Sequence, residues 1–439
     1  MKIRRLTKTI LGALLALPLI SGVAIAYELS IPSFDYRTGP YAPSGIPYAN
    51  GFADYLMMLN ARDGGINGSK IVVVPCETGY NTKKGVECYE NVKNTGESRS
   101  LVIHPLSTGI TYQLIPKTSV DLIPIHSMGY GRTSAANGKV FPWVFNFPVT
   151  YWDGAAIFVK YIAEKEGGMD QLKGKKIALV YHNSAYGKEP IRTLEKISEK
   201  FGFEFMALPV DHPGQEQKST WLRIRKERPD WVLMWGWGVM NQVAIKEAAS
   251  IRFPMDHFIG VWWSGNESDV LPAGEDAHNF LAGAIHAPGA NFPLFDDIAK
   301  HVYDKGNGAG EKDRIGEVTY NRGVLAGVYA AEAIRTAMKI HGTNKVTPVM
   351  VRDGYENLEI SAGRWEEMGL KGFAKPVKIT CENHAGSRQA AIMQWDANAK
   401  KWNQVTDYYD TMNDVVDPLI EADSKQYAAE NSVVPRICN

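Results

Sequence analysis

The chain has 439 residues, with 48 Lys plus Arg against 48 Asp plus Glu, and 11 Trp. That length exceeds one ordinary hydrophobic core and predicts at least two domains. The balanced charge removes the electrostatic reason to expect a nucleic acid or an anionic membrane surface as partner.

From the N-terminus, Lys2, Arg4, Arg5 and Lys8 precede a short apolar run, Ile10 to Ile20, and Ala24-Ile25-Ala26 fits a small-x-small cleavage pattern. Residues 1–26 therefore read as a cleaved export signal, with the general and twin-arginine routes both open. The run is too short to span a bilayer, no later stretch approaches twenty apolar residues, and no cysteine lies beside the cut. The mature chain is expected to be free, not membrane-anchored.

Beyond the signal, Glu28–Phe34, Lys70–Val74, Leu101–Ile103, Asp121–Ile125, Lys176–Tyr181, Phe203–Leu208, Trp231–Trp235 and His257–Val261 read as strands. Helix-length stretches lie between them, among them Ile46–Ala61, Thr108–Lys117, Tyr151–Glu166 and Met240–Ser250. This alternation predicts the α/β class, with doubly wound parallel sheets and helices on both faces. Trp143–Pro148 reads as a strand leaving one sheet for another. After a Pro/Gly-rich patch at 287–293 come further helices, including Val318–His341. Past Gly372 the pattern turns to antiparallel strands, Lys375–Thr380, Gln389–Trp395 and Lys401–Thr406. Two lobes joined by several crossing segments account for this order: 27–147 with 287–376, and 148–286 with 377–439.

Four cysteines, Cys76, Cys88, Cys381 and Cys438, fit an exported protein with disulfides. Of the three possible connectivities, Cys76–Cys88 would close a short strand-to-helix connection and Cys381–Cys438 would pin the C-terminal tail; the sequence leaves the choice open. No CxxC spacing is present, the one CxxH spacing, Cys381 to His384, has no second ligand pair to complete a metal site, and His104 and His126 match no ligand pattern. Glycine pairs at Gly236-Trp237-Gly238 and 306–310 complete no phosphate-binding motif and read as turns. No GxSxG or HExxH is present and no SxxK constellation has its partners, so neither an enzyme nor a cofactor is expected.

The run from Arg37-Thr38-Gly39-Pro40-Tyr41-Ala42-Pro43-Ser44-Gly45 to Leu59-Asn60-Ala61-Arg62-Asp63-Gly64-Gly65-Ile66-Asn67-Gly68 resembles the opening of the periplasmic leucine/isoleucine/valine-binding family. Tyr181-His182-Asn183-Ser184-Ala185-Tyr186-Gly187 and Pro229-Asp230-Trp231-Val232-Leu233 are similar to later motifs of that family, in the same order. The resemblance implies a type I solute-binding protein of an ABC importer. Two lobes on a three-segment hinge would close on a small molecule and dock, as a periplasmic monomer, on permease subunits in the inner membrane. Carried over by position, the first-lobe contacts would be Ser44, Ser107, Ile125 and Ser127, and the second-lobe contacts Tyr186, Trp237 and Trp262. Tyr41 joins them because it follows the Gly39-Pro40 turn. Ser107, at the start of a helix, would meet a carboxylate with its hydroxyl and free backbone N–H groups.

One position departs from the family. Where amino-acid binders place an acid against the ligand's ammonium, this chain has Trp262. Glu267 and Asp269 stand nearby as possible substitutes. The expected cargo is an apolar or aromatic carboxylate, with branched-chain amino acids, amides and a quaternary amine as alternatives. A ligand-presenting sensor is the alternative role. Trp231 and Trp235 read as core, Trp263 as packing, and Arg322 as an exposed arginine.

Overall fold

A computed structural model describes residues 27–438; the expected export signal, residues 1–26, lies outside them. The first sheet begins with β1 (Glu28–Asp35) and β2 (Lys70–Glu77), paired in parallel from Glu28 opposite Lys70 to Asp35 opposite Glu77. Its far side is the parallel pair β3 (Ile125–His126) and β4 (Val144–Phe145). The extended segment 100–103 joins the halves, bridging Ser100 to Ser30 and Ile103 to Ile125. It makes single bridges because His104-Pro105 interrupts the apolar run.

The second sheet contains β5 (Lys176–His182), β6 (Glu204–Val210), β7 (Trp231–Trp235), β8 (Phe258–Gly260) and β9 (Leu281–Ala284), all parallel in the order β9-β8-β7-β5-β6. A small antiparallel pair, β10 (Glu359–Ile360) and β11 (Val377–Lys378), stands apart from both sheets. The strands β12 (Gln389–Asp396), β13 (Lys401–Gln404) and β14 (Tyr409–Asp410) then extend the second sheet antiparallel beyond β9. Helix Asn413–Glu430 follows, resting on Thr133–Ala136 of the first lobe and on helices Tyr151–Glu166 and Ile191–Phe201 of the second. The doubly wound α/β architecture is thus present in two lobes.

Two expected elements differ. Asp121 ends a helix, Thr108–Asp121, and is not the start of a strand; Leu122, at φ 57°, makes the left-handed cap. The Trp143–Pro148 segment stays with the first sheet as β4 before the chain crosses to helix Tyr151–Glu166. That helix starts on a capping box between Thr150 and Asp153.

Helices Ala42–Asp63 and Val318–His341 form the largest helix–helix contact of the first lobe. Glycine permits the approach: a Cβ at Gly323 would lie 2.0 Å from the Tyr48 carbonyl oxygen. Helix Val318–His341 is consequently buried on most of its circumference, Arg322 included. The exposed arginine expected there is instead fully buried, at 0 % exposure. Cys76 is bonded to Cys88, and Cys381 to Cys438.

Candidate functional site

Parallel sheets gather their strand ends at one edge, and ligands bind beyond the carboxyl ends. The two sheets here face each other by those edges. Tyr36 follows β1 and Tyr80 follows β2; Leu106, Ser107 and Thr108 follow the 100–103 segment, and Tyr130 follows β3. From the other lobe come Tyr186 after β5, Trp237 after β7 and Trp263 after β8, with Tyr151 at the start of the crossing helix. These ten residues enclose a cavity of about 250 Å³.

Hydrogen bonds fix the walls. The Trp237 indole N–H donates to the Tyr36 hydroxyl (3.1 Å), which donates to the Leu106 carbonyl (3.2 Å). The Leu106 N–H donates to the Tyr130 hydroxyl (2.8 Å). Two tyrosines therefore hold both backbone groups of Leu106, a non-glycine residue at φ 47°. This locked turn positions Ser107 as the N-cap of helix Thr108–Asp121, its Oγ accepting from the Ile110 N–H. Among the described residues, the N–H groups of Thr108 and Gly109 have no acceptor. The first turn thus offers unpaired donors and the positive end of the helix dipole. Tyr186 donates to the Gly236 carbonyl (2.9 Å). Burial raises Tyr36, Tyr80, Tyr130, Tyr151 and Tyr186 above the ordinary tyrosine range, so each remains a neutral hydroxyl.

Of the residues expected from sequence, Ser107, Tyr186 and Trp237 line this cavity. Tyr41 lies behind Tyr80, ring centroids 4.4 Å apart, and its hydroxyl bonds His182 Nε2 (2.7 Å) and His212 Nδ1 (2.9 Å) of the other lobe. Trp262 stacks on Tyr151 (5.7 Å) and donates to the Gly129 carbonyl (2.8 Å). Ser44 and Ile125 are buried within their own elements, and Ser127 donates to the Phe145 carbonyl (3.3 Å). None of these five lines the cavity.

Trp263, expected as packing, faces it instead. The physical reason is the turn after β8. Ser264 N–H reaches back to the Val261 carbonyl (2.7 Å), which breaks strand alternation and swings the second tryptophan outward. Glu267 and Asp269 do not substitute for an ammonium partner at the wall. Glu267 accepts from the Val318 N–H (2.8 Å), and Asp269 from the amides of Asn241 (3.0 Å) and Asn266 (2.7 Å). The lining carries no acidic or basic side chain.

The lobes touch elsewhere through Val239 N–H to the Pro40 carbonyl (3.1 Å) and through both indoles, Trp262 and Trp263, on Gly129. Glu189 of the second lobe accepts from Tyr112, and from the Thr133 hydroxyl (2.8 Å), both of the first. The molecule is closed over its cavity. Among the described residues, no cluster of three or more His, Cys, Asp or Glu is arranged to hold a metal ion, and no helix is long and apolar enough to cross a membrane.

A family model described as periplasmic binding protein matches residues 28–401. A solved chain described as an ABC transporter permease from the Pseudomonas fluorescens group is 38 % identical, with a TM-score of 0.86, covering 94 % of this chain and 99 % of that one. At 20 % identity, a branched chain amino acid ABC transporter from Thermus thermophilus with bound valine gives a TM-score of 0.74, covering 88 % of this chain and 97 % of that one. A solute-binding protein from R. palustris in complex with benzoate, at 14 % identity, gives 0.67 over 87 % and 95 %. The last two likenesses speak to the fold alone. A search of curated proteins returned no match.

Proposed function

The chain belongs to the periplasmic binding protein family, and from that membership we propose that its lobes close on a small apolar or aromatic carboxylate and deliver it to ABC-importer permease subunits in the inner membrane. The protein is a non-catalytic solute-binding protein of the ABC-importer type. The proposal concerns its cargo, its export to the periplasm and its delivery to those subunits as a monomer.

The observation that carries the cargo reading is the lining itself: five tyrosines, two tryptophans and a helix start, without a carboxylate. An amino acid would bury its ammonium there with no anionic partner, which costs several kcal/mol unless compensated. A carboxylate would find Ser107 and the unpaired N–H groups of Thr108 and Gly109, while aromatic faces and edges take the apolar body. The space between the ten lining residues is small, so the cargo is compact. Relatives of the same fold hold valine in one case and benzoate in another; the lining of this chain favours the second kind.

Calorimetry and thermal shift with benzoate, 4-hydroxybenzoate, valine, benzamide and choline test the reading. Tight binding of an aromatic acid with weak valine and choline is expected. Micromolar valine or choline binding with no response to either acid would refute it.

A further inference from the structure

Arg322 stands outside the cavity lining, yet its guanidinium sits 4.9 Å over the ring centroid of Trp263, which is part of the lining. One side chain separates this cation from the ligand space. Nη1 donates to the Trp262 carbonyl, whereas Nε and Nη2 are buried without an acceptor among the described residues. The nearby Tyr48 hydroxyl is buried and, among the same residues, unpartnered too. A fully buried guanidinium with most of its donors unmet is costly, and native structures keep such groups for a reason.

No direct ion pair meets this charge: among the described residues Arg322 has no carboxylate within ion-pairing distance, and the two nearest acids are bonded elsewhere, Glu267 to the Val318 N–H and Asp269 to two amides. Burial pushes Glu267 up to about 7 and Asp269 well above the carboxylate range, and it lowers Arg322 only to about 9. Burial thus disfavours the charged forms of both acids beside the guanidinium, in a water-poor setting where charges act over longer distances.

We propose that Arg322 is a specificity-determining residue, a fixed positive charge behind Trp263 that makes the cavity favour an anionic ligand over its neutral isostere and disfavour a cationic one. The inference rests on this cavity being the ligand site. It also gives the aromatic lining a sign: a ring with a guanidinium on its face is a poorer partner for a second cation. An aromatic cage of this composition would otherwise suit a quaternary amine. Because Arg322 acts through Trp263, it is a positioning residue, and its removal should alter selectivity more than overall affinity.

The test has two arms. In the first, Ser107→Cys places a thiol in the cavity, and its titration is followed by thiolate ultraviolet absorbance with no ligand present. Adding Arg322→Met should raise the thiol pKa by about one unit, and Arg322→Lys should restore it. In the second, calorimetry compares benzoate with benzamide, and the preference for the anion should fall about tenfold in Arg322→Met but persist in Arg322→Lys. Near-ultraviolet circular dichroism verifies folding, with Arg322→Gln as the replacement should the methionine variant misfold. A thiol that titrates identically in every background overturns the inference. If the thiol responds but neither compound binds, the cargo reading fails while the positive field of Arg322 in the cavity is retained; an anion preference unchanged in Arg322→Met overturns the specificity role.

Discussion

Ligand affinity should depend on pH through one carboxyl at the contact between the lobes. Glu189 follows β5 in the second lobe and accepts from Tyr112, from the Thr133 hydroxyl (2.8 Å) and from the Thr133 N–H (3.3 Å) of the first. Those donors and nearby Arg132 lower its pKa, but burial outweighs them and pushes it from 4.5 up to about 7. Opening the lobes returns the carboxyl to water, near its ordinary value. Closure therefore takes up a proton between about pH 4.5 and 7. Since the pKa is raised in the closed form, the contribution to closure is fully present below the open-state value and is lost as pH rises through the closed-state one.

The gap between 4.5 and about 7 corresponds to roughly 3 kcal/mol, or on the order of a hundredfold in affinity if the open form fully rehydrates the group. His182, held down to about 3 by burial, and His212, also lowered, act with the opposite sign at the Tyr41 contact. Their burial uncharged weakens closure as pH falls below the ordinary histidine value, so the raw curve mixes both effects. Glu189→Gln separates them, because the histidines are common to both proteins. By calorimetry with benzoate, the ratio of wild-type to variant Kd should grow up to about tenfold per unit from pH 5 to 7 and then level. A ratio flat across that window would refute the assignment of a closure-linked proton to Glu189.

The remaining expectations concern the anion site and the tail. Ser107→Ala should weaken a carboxylate by about 1–3 kcal/mol in calorimetry while leaving the neutral amide nearly unaffected, because only the anion would use the hydroxyl as a strong donor. Cys438→Ser should lower stability by up to roughly 4 kcal/mol in denaturant unfolding, since the Cys381–Cys438 bond closes a loop of 57 residues in the unfolded chain. An unchanged unfolding midpoint would mean that helix Asn413–Glu430 anchors the tail unaided.

Much of the fold is written in local signals. Thr150 with Asp153 opens helix Tyr151–Glu166, and Gly342 closes helix Val318–His341 in the left-handed conformation, so both elements end where their sequence says. Leu122 shows the limit: it adopts that same conformation without being glycine, and the helix before it runs on to Asp121 unseen. The site was legible to the extent that strand ends were. Ser107, Tyr186 and Trp237 follow strands or extended segments directly, and so do Tyr36, Tyr80 and Tyr130, which the same rule would have found. Choosing between Trp262 and Trp263 needs the backbone of a tight turn. Two adjacent identical residues carry no sequence signal for which of them faces inward.

Arg322 is the more instructive miss, because a signal for it existed. The expectation of an exposed arginine rests on residue type alone. Helix Val318–His341, however, is rich in alanine, glycine, valine and tyrosine around most of its circumference, the pattern of a helix enclosed on nearly every side. A cation in the second turn of such a helix has little water within reach, whatever the habits of arginine elsewhere. Gly323 beside it, pressed against the Tyr48 carbonyl, tightens that enclosure. The pattern of the element thus outweighs the preference of the residue. Trp262 stacks on Tyr151 outside the lining, so the charge that bears on the cavity in our proposal is that of Arg322, held against Trp263.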